Sequence, residues 1–300
     1  MDKGYVEGVD QKLIDLLPEK MRAKASSEAA ATTVRHALTM KDGIARDLIN
    51  DSISEYTLSK PLRAEPGTSF FYSNLSPMLI SMAITQATGM TAWKFARGNL
   101  CGPLGIRNAP WPETGGYSRG GYGLLMSTRD IAKIGYLFLN GGLWEDRQII
   151  SREWISESTR EQTETGAPSE SSKRYGYFWR IHSPGGYPGF IARGAFGQSL
   201  SVIPGLDLVV VINISDTTDS MGEKYYAIVD NCVLPEVAVE DLRPVHHHAG
   251  PQHVAVVGDA VHGEMTEHAG LHLPSVGDVH AMLAPRHAPP QGRCRSGSPR

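Results

Sequence analysis

Residues 198–214 read QSLSVIPGLDLVVVINI, two runs rich in apolar and β-branched residues on either side of a proline–glycine pair. Such runs favour strands, and a tight Pro204-Gly205 turn between them predicts an antiparallel hairpin. The two predicted strands are Gln198–Ile203 and Leu206–Ile214. Two more strands are predicted shortly before them, at Tyr175–His182 and Phe190–Arg193. We therefore expect this part of the chain to form an antiparallel sheet.

Before residue 175 the apolar residues recur with helical spacing. The clearest case is Ser76–Gly89, with a predicted buried side formed by Met78, Leu79, Met82, Ala83 and Ile84. The other predicted helices start at Thr32 or Thr33 and end near Gly43, run from about Thr91 to Leu100, start at Ser127 or Thr128, and run from about Thr218 to Cys232. Helices followed by a run of antiparallel strands, without alternating β-α-β units, predict an α+β fold. We expect an antiparallel sheet flanked by helices, plus a mainly helical region before residue 175.

The composition is that of a globular enzyme. Of the 300 residues 41% are hydrophobic and 20% are charged, which suits one large domain or two closely packed ones. The formal net charge of −3 gives no electrostatic reason to expect a nucleic-acid partner. Cys101, Cys232 and Cys294 are far apart and odd in number, so they predict neither a disulfide framework nor a metal site. No apolar run approaches the roughly 18 residues that predict a transmembrane helix.

The character of the sequence changes after about residue 239. Nine of the eleven histidines lie from His246 onward, scattered among glycine, proline and alanine without a helix or strand period. The run His246-His247-His248 lacks partners at a fixed spacing, so we predict no functional metal site there. The expected organisation is one domain at residues 1–239 and a disordered tail rich in histidine, proline and glycine at residues 240–300.

The sharpest chemical signal is Tyr72-Ser73-Asn74, just before the long predicted helix. A tyrosine held at a helix start beside a cation can accept a proton from a nucleophile. An asparagine two residues later has a donor and an acceptor with which to orient a lysine or a substrate amide. Taken alone, however, the tripeptide is better explained as an ordinary helix entry with an asparagine cap.

The order of short motifs along the chain reverses that interpretation. The motifs are TVRHALTM at 33–40, EPGT at 65–68, YSN at 72–74, GGYGL at 120–124, STRDIAKIG at 127–135, GAFGQ at 194–198 and VIPGLDLV at 202–209. With these motifs in this order, the chain resembles the β-lactamase-related serine hydrolases from about residue 3 to residue 235. That family contains class C β-lactamases, D-alanyl-D-alanine peptidases, several esterases and 6-aminohexanoate-dimer hydrolases.

The resemblance implies hydrolysis of a small-molecule ester, amide or β-lactam through a serine acyl-enzyme, without a metal or organic cofactor. It assigns Tyr72 and Asn74 as catalytic residues, Tyr72 as the base and Asn74 as a contact of the substrate and of a lysine. A strand motif, Lys-Thr-Gly or a variant, binds substrate in the family, and Ala192-Arg193-Gly194 stands in its place here. Arg193 and Gly194 are thus expected to bind substrate, although Arg193 fits a solvated strand-edge charge equally well. Because the lysine of the lactamase version is absent, ester or amide hydrolysis is a safer expectation than antibiotic hydrolysis.

The nucleophile of the family belongs to a Ser-x-x-Lys motif, and no such motif occurs in the 300 residues. Residues 57–60 and 91–94 have the spacing, but with threonine and far from the expected place. In the family the motif begins a helix shortly before the segment that resembles residues 3–10. We therefore expect the nucleophile and the early strands of the sheet to be missing, and the chain as given to be inactive or severely impaired. Relatives are often exported, but these residues contain no signal peptide, so the compartment stays open.

Two other classes of protein stay open. One is a non-catalytic binding or regulatory relative that keeps the pocket. The other is an α/β-hydrolase in which residues 116–120 (GYSRG) supply a Gly-x-Ser-x-Gly nucleophile elbow. Such an elbow lies between a buried strand and a helix, whereas this one follows WPETG and runs into more glycine. Ser118 is therefore expected to be a loop serine.

Overall fold

The computed structural model describes residues 1–44, 55–166, 173–214, 225, 228–235, 237 and 253–260. They form two compact units: the first holds Met1–Met126 and Ile149–Phe178, and the second holds Ser127–Gln148 and Trp179–Arg300, as far as these are described. The α-helices are α1 Glu19–Arg22, α2 Ser27–Ala30, α3 Val34–Leu38, α4 Leu75–Thr88, α5 Ala92–Ala96, α6 Thr128–Leu139 and α7 Arg152–Thr159. The strands are β1 Glu113–Thr114, β2 Tyr117–Ser118, β3 Leu143–Trp144, β4 Arg147–Gln148, β5 Thr163–Glu164, β6 Arg174–Tyr175, β7 Arg180–His182, β8 Gly189–Arg193, β9 Ser199–Ile203, β10 Leu208–Ile214 and β11 His253–Ala260.

The first unit is built around helix α4. This helix ends at Gly89, whose left-handed backbone (φ 69°) accommodates the turn out of the helix. Leu79 and Met82 on its buried side pack in one hydrophobic cluster with Leu13 and Leu38. Because these residues come from three separate segments, the position of α4 is set by side-chain packing rather than by backbone pairing.

The second unit is built on a sheet in which β10, β9, β8 and β7 are antiparallel neighbours. Strand β11 pairs with β10 in the parallel direction, so β10 has a neighbour on each side. Ile203 faces Leu208 across the predicted Pro204-Gly205 turn, which confirms the hairpin. Every residue from Leu208 to Ile212 is at most 2% exposed.

Both faces of this sheet are covered. On one face a Cβ at Gly135 of α6 would lie 2.6 Å from Val209 Cγ1 and 2.7 Å from Leu200 Cδ1. Glycine is therefore the residue that lets the helix approach the sheet so closely. On the other face Val210 packs in a hydrophobic cluster with Val229 and its neighbours. The alternation of the strand directs successive residues of β10 to these two faces.

The expected α+β class is confirmed, while several element boundaries differ from expectation. The strand predicted at Tyr175–His182 consists of two shorter strands, β6 and β7. The helix predicted to end near Gly43 ends at Leu38, because Met40 has a positive φ of 58° that a helix does not accommodate. The helix predicted to reach Leu100 passes from α5 into a π-helical segment at Arg97–Cys101. The absence of the early strands stays a prediction.

The predicted tail is described at residues 253–260 alone, and there it forms strand β11, where the sequence had predicted no strand. The rest of residues 240–300 lies outside the described part, including His246–His248, so the division at residue 239 stays a prediction. The helix predicted at Thr218–Cys232 is described only from residue 225, and incompletely. Among the described residues, no helix is long and apolar enough to cross a membrane, and no cluster of three or more His, Cys, Asp or Glu side chains could hold a metal ion.

Candidate active site

The segment Tyr72-Ser73-Asn74 forms the entry to helix α4. Asn74 is the N-cap residue, yet its side chain makes no capping hydrogen bond. Instead, the Leu75 N–H donates to Ser73 Oγ at 3.0 Å. Ser73 is 4% exposed, whereas Tyr72 is 49% exposed. The buried serine thus holds the turn, which leaves the Tyr72 ring at the surface and the Asn74 amide outside the cap, contrary to the simple asparagine-cap interpretation.

Two glycines of the motif at residues 120–124 lie against the first turns of α4. A Cβ at Gly121 would lie 2.8 Å from the Asn74 carbonyl oxygen and 2.9 Å from the Asn74 Cβ. A Cβ at Gly120 would lie 2.1 Å from the Pro77 carbonyl oxygen. Neither position has room for a side chain, so this glycine pair sets how closely the loop approaches Asn74.

A buried carboxyl group lies near the same helix start. The Phe71 N–H donates to the Met40 carbonyl at 2.9 Å, which brings the segment of Asp42 alongside the entry to α4. Asp42 is 4% exposed and its Oδ1 accepts from the Ile44 N–H at 3.0 Å, but its Oδ2 has no hydrogen-bond partner. Burial raises the pKa of Asp42 to about 6. The Ser76 hydroxyl lies near enough to oppose that rise, although it is not in hydrogen-bond geometry and is itself buried without a partner.

Ser118, the candidate nucleophile of the alternative α/β-hydrolase, is fully buried. Its hydroxyl accepts a hydrogen bond from the Trp93 N–H at 2.9 Å, and its carbonyl accepts one from Ser81 Oγ at 2.7 Å. It lies in the two-residue strand β2, paired with β1, rather than in the loop that the sequence predicted. A nucleophile elbow exposes its serine between a strand and a helix. The burial and bonding of Ser118 therefore argue against this role.

Arg193 and Gly194 lie at the end of strand β8 in the second unit. The β7–β8 ladder covers Gly189 to Ile191, while Arg193 pairs with Ser199 of β9. The Gly194 N–H donates to the Gln198 carbonyl at 2.9 Å, closing the turn between the two strands. A Cβ at Gly194 would lie 2.6 Å from Gln198 Oε1 and 3.2 Å from the Gln198 Cβ. The packing of Gln198 is thus a reason for glycine here that does not depend on the predicted approach of a substrate.

A buried serine–histidine pair lies inside the same unit. Ser201 Oγ and His182 Nε2 share a hydrogen bond of 2.9 Å, and the two residues are 0% and 2% exposed. Burial, together with the smaller effect of the nearby positive charge of Arg193, lowers the pKa of His182 to about 4. Because Ser201 is shut off from solvent, we interpret the pair as an internal contact of the sheet and not as a catalytic dyad.

The structure thus places the predicted site residues at two positions, the start of a helix in the first unit and the end of a strand in the second. Tyr72 and Asn74 flank the buried Ser73 at the start of α4, and Arg193 and Gly194 are consecutive at the end of β8. Their catalytic and binding roles stay predictions.

Sequence reasoning missed Asp42 and the His182–Ser201 pair. Asp42 stands in the polar sequence Lys41-Asp42-Gly43, which is typical of an exposed turn. His182 and Ser201 come together only through the register of three strands, which no one-dimensional signal carries.

The longest described helix starts at the Tyr-x-Asn motif in one unit, and a mainly antiparallel sheet forms the other. Solved structures that include a penicillin-binding protein homologue share this fold. A family model described as Beta-lactamase matches residues 6–231. The chain belongs to this beta-lactamase family of serine hydrolases. Among the curated proteins, no sequence matches it.

Solved structures show the same fold at low sequence identity. A Bacillus anthracis protein provisionally named 6-aminohexanoate-dimer hydrolase is 17% identical with a TM-score of 0.65, over 81% of this chain and 69% of that one. The beta-lactamase/D-alanine carboxypeptidase of Yersinia pestis is 15% identical with a TM-score of 0.60, over 79% of this chain and 78% of that one. The octameric penicillin-binding protein homologue of Pyrococcus abyssi is 18% identical with a TM-score of 0.58, over 78% of this chain and 61% of that one. This chain therefore spans less than two thirds of the Pyrococcus protein, and activity, substrate and partners are matters of proposal.

Proposed function

We propose that this chain is the larger part of a serine hydrolase that acts through an acyl-enzyme on a small-molecule ester, amide or β-lactam. The observation that carries the proposal is the entry to α4, where Ser73 holds the turn and Tyr72 is half exposed. In this proposal Tyr72 is the base, Asn74 contacts the substrate and a lysine, and Arg193 and Gly194 bind substrate at the strand end.

The proposed reaction needs a serine that these 300 residues do not supply in a Ser-x-x-Lys motif. In acylation, the serine oxygen bonds to the substrate carbonyl carbon while its proton passes to the phenolate oxygen of Tyr72, which becomes the neutral phenol. The leaving alcohol or amine departs with that proton as its bond to the carbonyl carbon breaks. Water then releases the acyl group by the same sequence of transfers. Without the serine segment, the chain alone is expected to be inactive.

The experiment begins with the coding DNA upstream of Met1, read in frame for Ser-x-x-Lys, and with expression of both the 300-residue chain and the extended chain. A fluorophosphonate serine probe and chromogenic esters, amides and a cephalosporin are the readouts. The extended chain is expected to label and to hydrolyse at least one substrate, and the 300-residue chain to do neither. Labelling of the 300-residue chain that is lost in Ser118→Ala would overturn the proposal in favour of the α/β-hydrolase.

Tyr72→Phe in the extended chain removes only the phenolic oxygen. We expect kcat to fall by about 10²–10⁴-fold, the usual contribution of a general base. Tyr56→Phe is the matched control, because Tyr56 is similarly exposed, at 54%. Equal activity of the two variants would exclude Tyr72 as the base, and binding of substrate without turnover in the unmodified extended chain would favour the non-catalytic relative.

A further inference from the structure

Two buried polar atoms lie together at the start of helix α4, and neither has a hydrogen-bond partner within the described part of the chain. They are Asp42 Oδ2 and Ser76 Oγ, and the two residues are 4% and 0% exposed. The Ser76 hydroxyl is close enough to favour the ionised carboxyl of Asp42, because it opposes the rise in pKa that burial causes. A hydroxyl can donate and a carboxylate can accept, so one hydrogen bond between them would satisfy both atoms.

The backbone on either side of Asp42 is tied to the segment that leads into α4. The Gly67 N–H donates to the Lys41 carbonyl at 2.7 Å, and the Arg63 N–H donates to the Gly43 carbonyl, also at 2.7 Å. The loop cannot carry the Asp42 carboxyl out to solvent without breaking these bonds. The carboxyl is therefore a fixed point against which the start of the helix can be placed.

Ser76 lies in the first turn of α4, which begins directly after Asn74. This turn has few hydrogen bonds of its own. The Asn74 side chain makes no capping hydrogen bond, and Pro77 has no N–H to donate. The Leu75 N–H is held by Ser73 Oγ. A hydrogen bond from Ser76 to a carboxyl of another segment would therefore fix the turn only two residues after Asn74.

The buried carboxyl combines a cost in stability with a place beside the candidate active site. A buried carboxyl without a full set of hydrogen bonds destabilises a fold. Proteins retain such costly groups mainly at functional sites. We propose that Asp42 is a positioning residue of the candidate active site: a hydrogen bond from the Ser76 hydroxyl to Asp42 Oδ2 fixes the first turn of α4, and through it Tyr72 and Asn74. The placement of the turn stands independently, whereas its effect on catalysis rests on the proposed function.

The test follows Tyr72 in the 300-residue chain by fluorine NMR of protein labelled with fluorotyrosine. The signal that disappears in Tyr72→Phe is assigned to Tyr72. Asp42→Asn and Ser76→Ala should each shift this signal, and the double variant should shift it no further than the larger single change, because both remove the same hydrogen bond. Asp15→Asn, at an exposed position, is the matched control and should leave the signal in place.

An unchanged Tyr72 signal in either single variant, or shifts that add in the double variant, would overturn the proposal. A variant that does not fold is recognised by the collapse of all tyrosine signals, and the other single variant then decides.

Activity in the extended chain separates positioning from a merely structural role. There Asp42→Asn should lower kcat by about 10–10²-fold, the scale expected for a misplaced catalytic group, with KM little changed and without loss of stability. An unchanged kcat in an active extended chain would overturn the positioning role. A shifted Tyr72 signal in an extended chain that hydrolyses nothing would uphold the placement of the turn while the proposed function fails, so the two proposals can fail separately.

Discussion

The two units differ in how completely they cover their own interiors. In the second unit, strand β10 is covered on both faces, and the buried His182 is hydrogen-bonded to Ser201. In the first unit, an apolar groove lined by Ile80, Ile84 and Ala87 of helix α4 opens to the surface, and the buried Asp42 keeps one oxygen without a partner.

The difference reflects what fixes the position of a strand in a sheet and of a helix in a helical unit. Each strand of the sheet is fixed by backbone hydrogen bonds to its neighbours. A helix satisfies its backbone internally and is placed only by the side chains around it. One apolar side of a helix can therefore stay open at a groove without disrupting the backbone hydrogen bonds of the unit.

The largest expected effect compares the two interiors directly. Leu208→Ala removes a fully buried side chain from β10 and should lower the free energy of unfolding by about 3–4 kcal/mol. Ile84→Ala removes a partly buried side chain from the groove wall and should cost less than about 1 kcal/mol in the 300-residue chain. Denaturant unfolding measures both variants, and similar costs would contradict the contrast between a closed and an open interior.

A smaller effect is expected from acid on the second unit. The pKa of His182 is about 4 in the fold, lowered mainly by burial, against an ordinary value of 6.5. Between these pH values the unfolded state binds more protons, so stability should fall as the pH drops from about 6.5 to 4, by up to about 3 kcal/mol. His182→Gln should lose this pH dependence, as followed by unfolding or by hydrogen exchange of β7–β9. If the free energy of unfolding changed with pH in the same way in both proteins, His182 would be ruled out as the cause of the acid sensitivity.

The smallest expected effect is in the first unit, where the pH dependence of stability caused by Asp42 has the opposite sign to that caused by His182. Burial raises the pKa of Asp42 from 3.8 to about 6, so the folded state binds more protons in that window and loses stability as the pH rises through it. Asp42→Asn should therefore raise the free energy of unfolding at pH 7 by about 1–2 kcal/mol, with little gain at pH 4. Asp15→Asn, at an exposed position, is the control and should change little. A loss of stability in Asp42→Asn at pH 7 would mean that the buried charge is better compensated than its contacts indicate.

Much of the fold was predictable because its signals are local. The run of β-branched residues in Leu206–Ile214 predicted β10, and the Pro204-Gly205 pair predicted the turn to β9. Ser127 predicted the start of α6, where its hydroxyl accepts from the Asp130 N–H. Boundaries were predicted less well where backbone strain decides them, as at Met40.

The candidate site was predictable only as a set of positions. Tyr72 and Asn74 were named from a motif, but the role of Ser73 as the residue that holds the turn into α4 emerged from the geometry. Gly194 was assigned to substrate approach, whereas the packing of Gln198 against it is a tertiary contact.

The sequence by itself determined the α+β class, the hairpin at the centre of the sheet, the position of the Tyr-x-Asn motif and the lack of Ser-x-x-Lys within these residues. These depend on residue type and on spacing along the chain, because the local sequence pattern determines which helices and strands are favoured. Only the tertiary structure decided that Ser118 is buried, that Asp42 lacks a full set of partners, that His182 meets Ser201, and that one side of α4 stays open. Each of these depends on segments distant in sequence, and burial and partnership are properties of the packed chain, which no single stretch of sequence carries.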